Sequence, residues 1–266
     1  MCAFFGTFLA LKYLSSMLPK DAGREFAHDG KKSAGKPRGA GLIFILAFGI
    51  VAVLFGKLNW EILIYLVLTM ASMLTGYLDD ASKNPWGEFK KGALDLLIAC
   101  LVAGTYLAFN GSEIFINVLG ESISLNPIVF FILAVILVWV SINVTNCTDG
   151  VDGLSGTLSV ITLFTIYLLE SVKGTNSAIN YITLILIACV LAYLWFNATP
   201  SKLMMGDAGS RALGIFISIA ILKTGSPLLY IPVALMLIID GGLGLLKISF
   251  RRFLKIEILN NVRTPI

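Results

Sequence analysis

PIVFFILAVILVWVSINVTNCTDGVDGLSGTLSVITLFTIYLL, residues 127–169, decides the fold. Two apolar runs flank a short polar stretch, NCTDGVDGLSG (146–156), that carries Asp149, Asp152 and three glycines. Each run approaches the ~20 residues a helix needs to cross a bilayer core. Working outward, comparable runs occupy roughly 3–18, 39–56, 60–78, 93–110, 126–144, 154–172, 178–197, 210–224 and 227–249. Any one of them could be a buried helix of a soluble protein, but nine in a chain of 266 residues could not. Composition agrees: 57% of residues are hydrophobic and 14% charged, with a mean hydropathy of +0.88, against about 25% charged in an ordinary soluble domain.

The expected fold is therefore all-α, a polytopic integral membrane bundle of nine helices forming a single transmembrane domain over residues 1–266. An outer-membrane barrel would instead show alternating strands of about ten residues. The first run lacks a basic start and is followed by PKDAGREF (19–26) rather than a small-residue cleavage site, so it reads as a membrane helix. NGSEIFINVLGESISLNP (110–127) has turn residues at both ends and a β-like middle, which predicts a small external hairpin. The four cysteines show no paired spacing and read as free thiols. The single histidine, His28, cannot build a His-ligated metal site alone.

Basic residues set the orientation. If nine helices alternate, 16 of the 20 Lys and Arg fall on one side, leaving Lys57, Lys173 and Lys223 opposite and Lys12 within the first run. The basic side is expected to be cytoplasmic, with the N-terminus outside. A net charge of +4 then reflects topology and anionic substrates, not nucleic-acid binding.

Three polar clusters share that side: GYLDDASK (76–83), NCTDGVDG (146–153) and MMGDAGSR (204–211). Asp79 and Asp80 end a helix, where partial negative charge makes two carboxylates unfavourable. Either solvent or a cation such as Lys83, Lys90, Lys91 or a metal must offset them. Asp149 and Asp152 read as opening the sixth helix, with Asp149 in an N-cap arrangement. The functional alternative is a set, with Asn146, suited to a planar polar ligand approached closely past Gly150 and Gly153. Asp207, between Gly206 and Gly209 with Ser210 capping the next helix, is either a turn residue or a metal ligand in an anion-friendly nest. Mg²⁺ suits such a place, since it takes one or two carboxylates plus phosphate oxygens and water. Asp95 reads as an i, i+4 partner of Lys91. Asp240 is an intramembrane acid, a functional candidate by default, and Gly241, Gly242 and Gly244 beside it suggest a break or close packing. Neither a Walker loop nor a dinucleotide-binding turn is present.

PKDAGREF, GKPRGAG (35–41), GYLDD, NCTDGVDGLSG and FNATPSKLMMGDAGS (196–210), in that order across nearly the whole chain, resemble the polyprenyl-phosphate N-acetylhexosamine-1-phosphate transferases. Within that family the chain is most similar to the branch whose donor is UDP-N-acetylmuramoyl-pentapeptide and whose acceptor is undecaprenyl phosphate. The resemblance implies a multi-pass enzyme of the bacterial inner membrane, transferring a phospho-sugar at the cytoplasmic face and releasing UMP. It also implies Mg²⁺, a homodimer and contact with membrane lipids. The implied catalytic residues are Asp79, Asp80 and Asp207, with Asp207 the main Mg²⁺ ligand. Lys83 and Lys91 would lie near the diphosphate. Asn146, Asp149, Gly150, Val151 and Asp152 would form the nucleoside-side loop, and Asn197 and Met204 would complete the donor site. Met204 stands where an aromatic is common, facing the base or filling core beneath the loop. The family pattern has ten helices and a His-rich motif after the ninth, so a chain ending at LNNVRTPI (259–266) is expected to lack that loop and the last helix.

Direct attack by the lipid phosphate, with Asp79 as base and Asp80 holding metal or lysine, is the expected mechanism; a covalent phospho-aspartate is its rival. A relative using UDP-GlcNAc is the alternative function. A secondary transporter is the remote one, and would carry its polar sites near midplane.

Overall fold

Helices follow the apolar runs, and the polar stretches gather at their ends. The computed structural model describes residues 1–21, 33–82, 86–174, 177–250 and 255. Its elements are α1 (Cys2–Leu14), α2 (Gly41–Phe55), α3 (Trp60–Asp80), α4 (Glu88–Asn110), β1 (Glu113–Ile116), β2 (Glu121–Ser124), α5 (Pro127–Thr148), α6 (Leu154–Val172), α7 (Ala178–Asn197), α8 (Gly206–Lys223), α9 (Tyr230–Val233) and α10 (Leu235–Ser249). The chain is a polytopic helical membrane protein. Five helices, α3 to α7, are long and apolar enough to cross a membrane alone. At about 1.5 Å per residue, the 15 residues of α2 fall short of a full span.

α8 is the centre of the bundle. It carries Asp207, Arg211 and Lys223 and would be costly in lipid, yet it is buried along almost its whole length, packed against α2, α3, α4, α5, α6 and α7. Glycine makes the approach close. A Cβ on Gly76 of α3 would collide with the Asp207 carbonyl oxygen, so only glycine lets these two backbones touch.

The predicted hairpin forms: β1 and β2 pair antiparallel from Glu113↔Ser124 to Ile116↔Glu121. Phe115 N donates to Gly225 O at 2.8 Å, tying the hairpin to the turn after α8. The last apolar run is not one helix. α9, with the short 3-10 turn Pro227–Leu229 before it, and α10 meet at 80° around Ala234, two residues beyond Pro232 and upstream of the glycines. Of those glycines Gly241 serves packing, since a Cβ there would collide with Val144 O of α5. All four cysteines are free thiols. His28 and LNNVRTPI (259–266), where the His-rich motif was expected to begin, lie outside the described residues.

Candidate active site

α3 and α8 run against each other at Gly76, and the next turn of α3 therefore delivers Asp79 and Asp80 to the first turn of α8. α8 has no side-chain cap of its own. Asp80 supplies one from another helix, its Oδ2 accepting from Ala208 N at 3.1 Å. Gly206, with φ +70°, makes room for it, since a Cβ there would overlap the same oxygen. The positive end of α8 thus offsets the negative end of α3, and the paired acids have their explanation. Ser210 is inside the helix, not at its cap, and its hydroxyl donates to Gly206 O at 3.0 Å.

Two cations bind this group together. Lys91 Nζ, from α4, lies 2.5 Å from Asp79 Oδ2 and 3.4 Å from Asp207 Oδ2. Asp79 Oδ1 accepts from Trp86 N at 2.6 Å, so both of its oxygens are engaged. Arg38, from the segment before α2, sets Nε 2.9 Å from Asp80 Oδ1 and its terminal nitrogens 3.6 Å from Asp21 and 3.6 Å from Asp207. Burial alone would lower the Arg38 pKa, but Asp80, Asp207, Asp21 and Asp149 outweigh it and raise it above the ordinary arginine value. Asn146 donates to Ser210 Oγ at 2.9 Å and also reaches the Asp207 carboxylate.

Around the charged group lie two loops that hold each other. Asn197 is buried; its Oδ1 accepts from Gly153 N at 2.9 Å and its Nδ2 donates to Leu203 O at 2.8 Å. Asp152 Oδ2 accepts from Ser201 N at 3.1 Å, and Lys36 Nζ donates to Ser201 Oγ at 2.8 Å. Met204 pairs through its backbone with the Arg38 segment: Met204 N donates to Pro37 O at 2.9 Å, and Ala40 N to Met204 O at 3.0 Å. The residue is only 8% exposed, which is the core-filling alternative.

The structure thus brings together Asp79, Asp80, Asp207, Lys91 and Asn146. Asp149, Gly150, Val151 and Asp152 line the adjoining loop, with Val151 exposed. Asn197 stands behind that loop, both ends of its amide on backbone. Lys83 lies outside the described residues.

Several sequence expectations change. Asp149 does not open α6; it follows the last turn of α5 as its C-cap, while Gly153, at φ +78°, precedes α6. A carboxylate there meets the negative end of a helix, so capping does not account for it. Asp95 pairs with Arg211, whose Nε lies 3.0 Å from Asp95 Oδ1, not with Lys91. Asp240 sits on α10 with Oδ2 buried and without a hydrogen-bond partner.

Sequence reasoning took Arg38 and Arg211 only as loop charges. A buried arginine in a membrane bundle needs an acid, and that rule applied to Asp95 would have found Arg211. Arg38 was signalled by its place in GKPRGAG, among glycines that let backbones approach.

A helical bundle embedded in the membrane, with carboxylates and cations interleaved at one end, is a membrane enzyme handling charged groups. The chain belongs to glycosyl transferase family 4, which it matches over residues 62–225. It is similar to the phospho-N-acetylmuramoyl-pentapeptide-transferase of Treponema pallidum subsp. pallidum, 38% identical over 281 residues, covering 99% of this chain and 77% of that protein. The protein of the same name from the Nichols strain of Treponema pallidum matches equally. That of Thermotoga neapolitana is 30% identical over 186 residues, covering 68% of this chain and 58% of its own length. The resemblance drawn from the five motifs is borne out.

Proposed function

We infer that this protein transfers phospho-N-acetylmuramoyl-pentapeptide from its UDP donor to undecaprenyl phosphate, releasing UMP, in peptidoglycan synthesis. The single observation that carries the reading is the meeting of Asp79, Asp80 and Asp207 around Lys91 and Arg38, in a chain 38% identical to the Treponema transferase over 99% of its length. Ion pairs of this kind at helix ends favour a surface reaction over a midplane transport site. The basic-residue asymmetry favours the cytoplasm of a bacterial inner membrane for this end. The homodimer stays part of the proposal on the strength of the resemblance alone.

In the reaction, a phosphate oxygen of the lipid attacks the β-phosphorus of the donor. A new P–O bond forms there as the bond to the bridging oxygen of UMP breaks. Asp79 holds Lys91 at the mouth and Asp80 holds Arg38, so both cations face a developing negative charge already positioned. Asp79 and Asp80 are ion-paired with Lys91 and Arg38, and direct attack by the lipid phosphate is the route we keep.

The charge balance also favours a divalent ion. Among the described residues the ion pairs at this end set Asp21, Asp79, Asp80, Asp95, Asp152 and Asp207 against Lys36, Arg38, Lys91 and Arg211, and a diphosphate adds further negative charge. Among the described residues no three acids, histidines or cysteines could cage a metal. Mg²⁺ does not require a cage; one carboxylate with phosphate oxygens and water suffices. Asp207 fits, its side chain being more exposed than those of Asp79 and Asp80 and its two cations standing off at 3.4 and 3.6 Å. Mg²⁺ there would screen the anionic reactants and stabilise the leaving UMP.

The test is UMP release by purified protein given undecaprenyl phosphate and either UDP-N-acetylmuramoyl-pentapeptide or UDP-GlcNAc. Turnover with the pentapeptide donor alone is expected. Preference for UDP-GlcNAc would move the protein to the other branch of its family.

A further inference from the structure

We propose that Arg38 is a binding residue for the donor's diphosphate, anchored on Asp80 and free to exchange its looser partners for phosphate oxygens. The inference rests on the donor reading above and assigns within it a residue that the motif resemblance left without a role.

Geometry separates the two ends of the guanidinium. Nε sits 2.9 Å from Asp80 Oδ1 in an ion pair that lacks hydrogen-bond geometry, and Asp80 itself is fixed by Ala208 N at 3.1 Å. The terminal nitrogens are each 3.6 Å from their acids, Asp21 and Asp207, longer than a hydrogen bond. The side chain is 28% exposed, whereas that of Arg211, the other arginine among the described residues, is 2% exposed and bound to Asp95. A residue serving only to hold the fold should resemble Arg211. Arg38 instead keeps its forked donors toward Asp21 and Asp207, where the proposed metal and diphosphate would meet. A planar fork can keep Nε on a carboxylate while its terminal amino groups take phosphate oxygens; a lysine ammonium cannot do both.

The backbone explains why the fork is in register. Arg38 pairs with Met204 in a short parallel bridge, and Arg38 N donates to Pro19 O at 2.8 Å. The position is set from two sides before any ligand arrives.

The experiment is equilibrium binding of uridine, UMP and UDP to the purified full chain in detergent with Mg²⁺, for the wild type, Arg38→Ala and Arg38→Lys. Loss of a charge-assisted phosphate contact predicts UDP affinity lower by about tenfold or more in Arg38→Ala, with uridine affinity unchanged. Arg38→Lys keeps the charge and so guards against a folding failure; its UDP affinity should also fall, by about threefold or more, again with uridine unchanged. Unchanged UDP binding in either folded variant overturns the proposal. So does an equal loss for all three ligands, which would make Arg38 a purely structural clamp. A wild type that binds none of them removes the donor reading itself, and this inference with it.

Discussion

α3 and α8 lie side by side and carry charge at both ends, but the ends are built on opposite principles. At one end Glu61, at the start of α3, takes Lys223 from the end of α8 at 2.9 and 3.0 Å, Asn110 of α4 at 2.6 Å and Tyr65 at 3.1 Å. One acid faces one cation, and each contact is a hydrogen bond. At the other end Asp79, Asp80 and Asp207, with Asp21, share Arg38 and Lys91 at distances from 2.5 to 3.6 Å. Matched charge at hydrogen-bond distance makes a fastener. Acids in excess of cations, some held loosely, make a site with capacity for a further cation and the anion it brings.

The largest effect should come from neutralising the acid-rich end. Asp207→Asn is expected to lower UMP release at least about a hundredfold, as should Asp79→Asn and Asp80→Asn, since each removes a metal ligand or frees a positioned cation. For Asp207 the thermal midpoint should fall only slightly, because Arg38 and Lys91 lose one acid but keep Asp80 and Asp79. An Asp207→Asn protein that turns over normally would end the comparison.

The fastener should behave in the opposite way. Glu61 and Lys223 side chains are 8% and 16% exposed, so Glu61→Gln, leaving a largely buried ammonium without its acid, should cost about 2 kcal/mol of stability. Turnover of the protein that remains folded should stay near normal. Thermal unfolding and UMP release on the same sample check both halves. A fall in activity without a fall in stability would mean that this end, too, serves the reaction.

Much of this was legible in the sequence. The nine apolar runs and the hairpin were, because lipid enforces long apolar helices and the turn residues mark the strands. The charged cluster was half legible, since two acids at a helix end call for a cation. What hydropathy hid is that the helices continue beyond the grease. α4 begins at Glu88 rather than near 93, α5 runs to Thr148 rather than 144, and α8 starts at Gly206 rather than 210. Polar residues can extend them because the bundle provides partners: Asn146 of α5 donates to Ser210 Oγ of α8 at 2.9 Å, and Lys91 of α4 pairs with Asp79 of α3. Lys91, Asn146 and Asp207 consequently stand on helices, a more rigid support than the loops the sequence suggested. The trans cap from Asp80 to α8 was not legible, since it joins residues 128 positions apart.

A smaller effect should follow from loosening the frame around the site. Asn197→Ala leaves Gly153 N and Leu203 O without their buried partner, which should cost about 2 kcal/mol. Because Asn197 links the two loops beside the acids and is not itself among them, KM for the donor should rise more than kcat falls. Loss of kcat alone would place Asn197 on the reacting groups.

The smallest effect belongs to Met204, where sequence and structure pull apart most clearly. An aromatic facing the uracil would add roughly 1–3 kcal/mol of stacking, and Met204→Phe would then tighten UDP binding. The residue, however, is 8% exposed, and its backbone is bonded to Pro37 and Ala40. A ring has nowhere to go without pushing on the segment that carries Arg38. Overpacking of this kind costs about 1 kcal/mol or more, so Met204→Phe should lower the thermal midpoint and leave UDP affinity unchanged or slightly weaker. Met204→Leu, close in volume, should be nearly silent in both measurements. Tighter UDP binding in Met204→Phe would show that the loop opens in solution and that the side chain reaches the base.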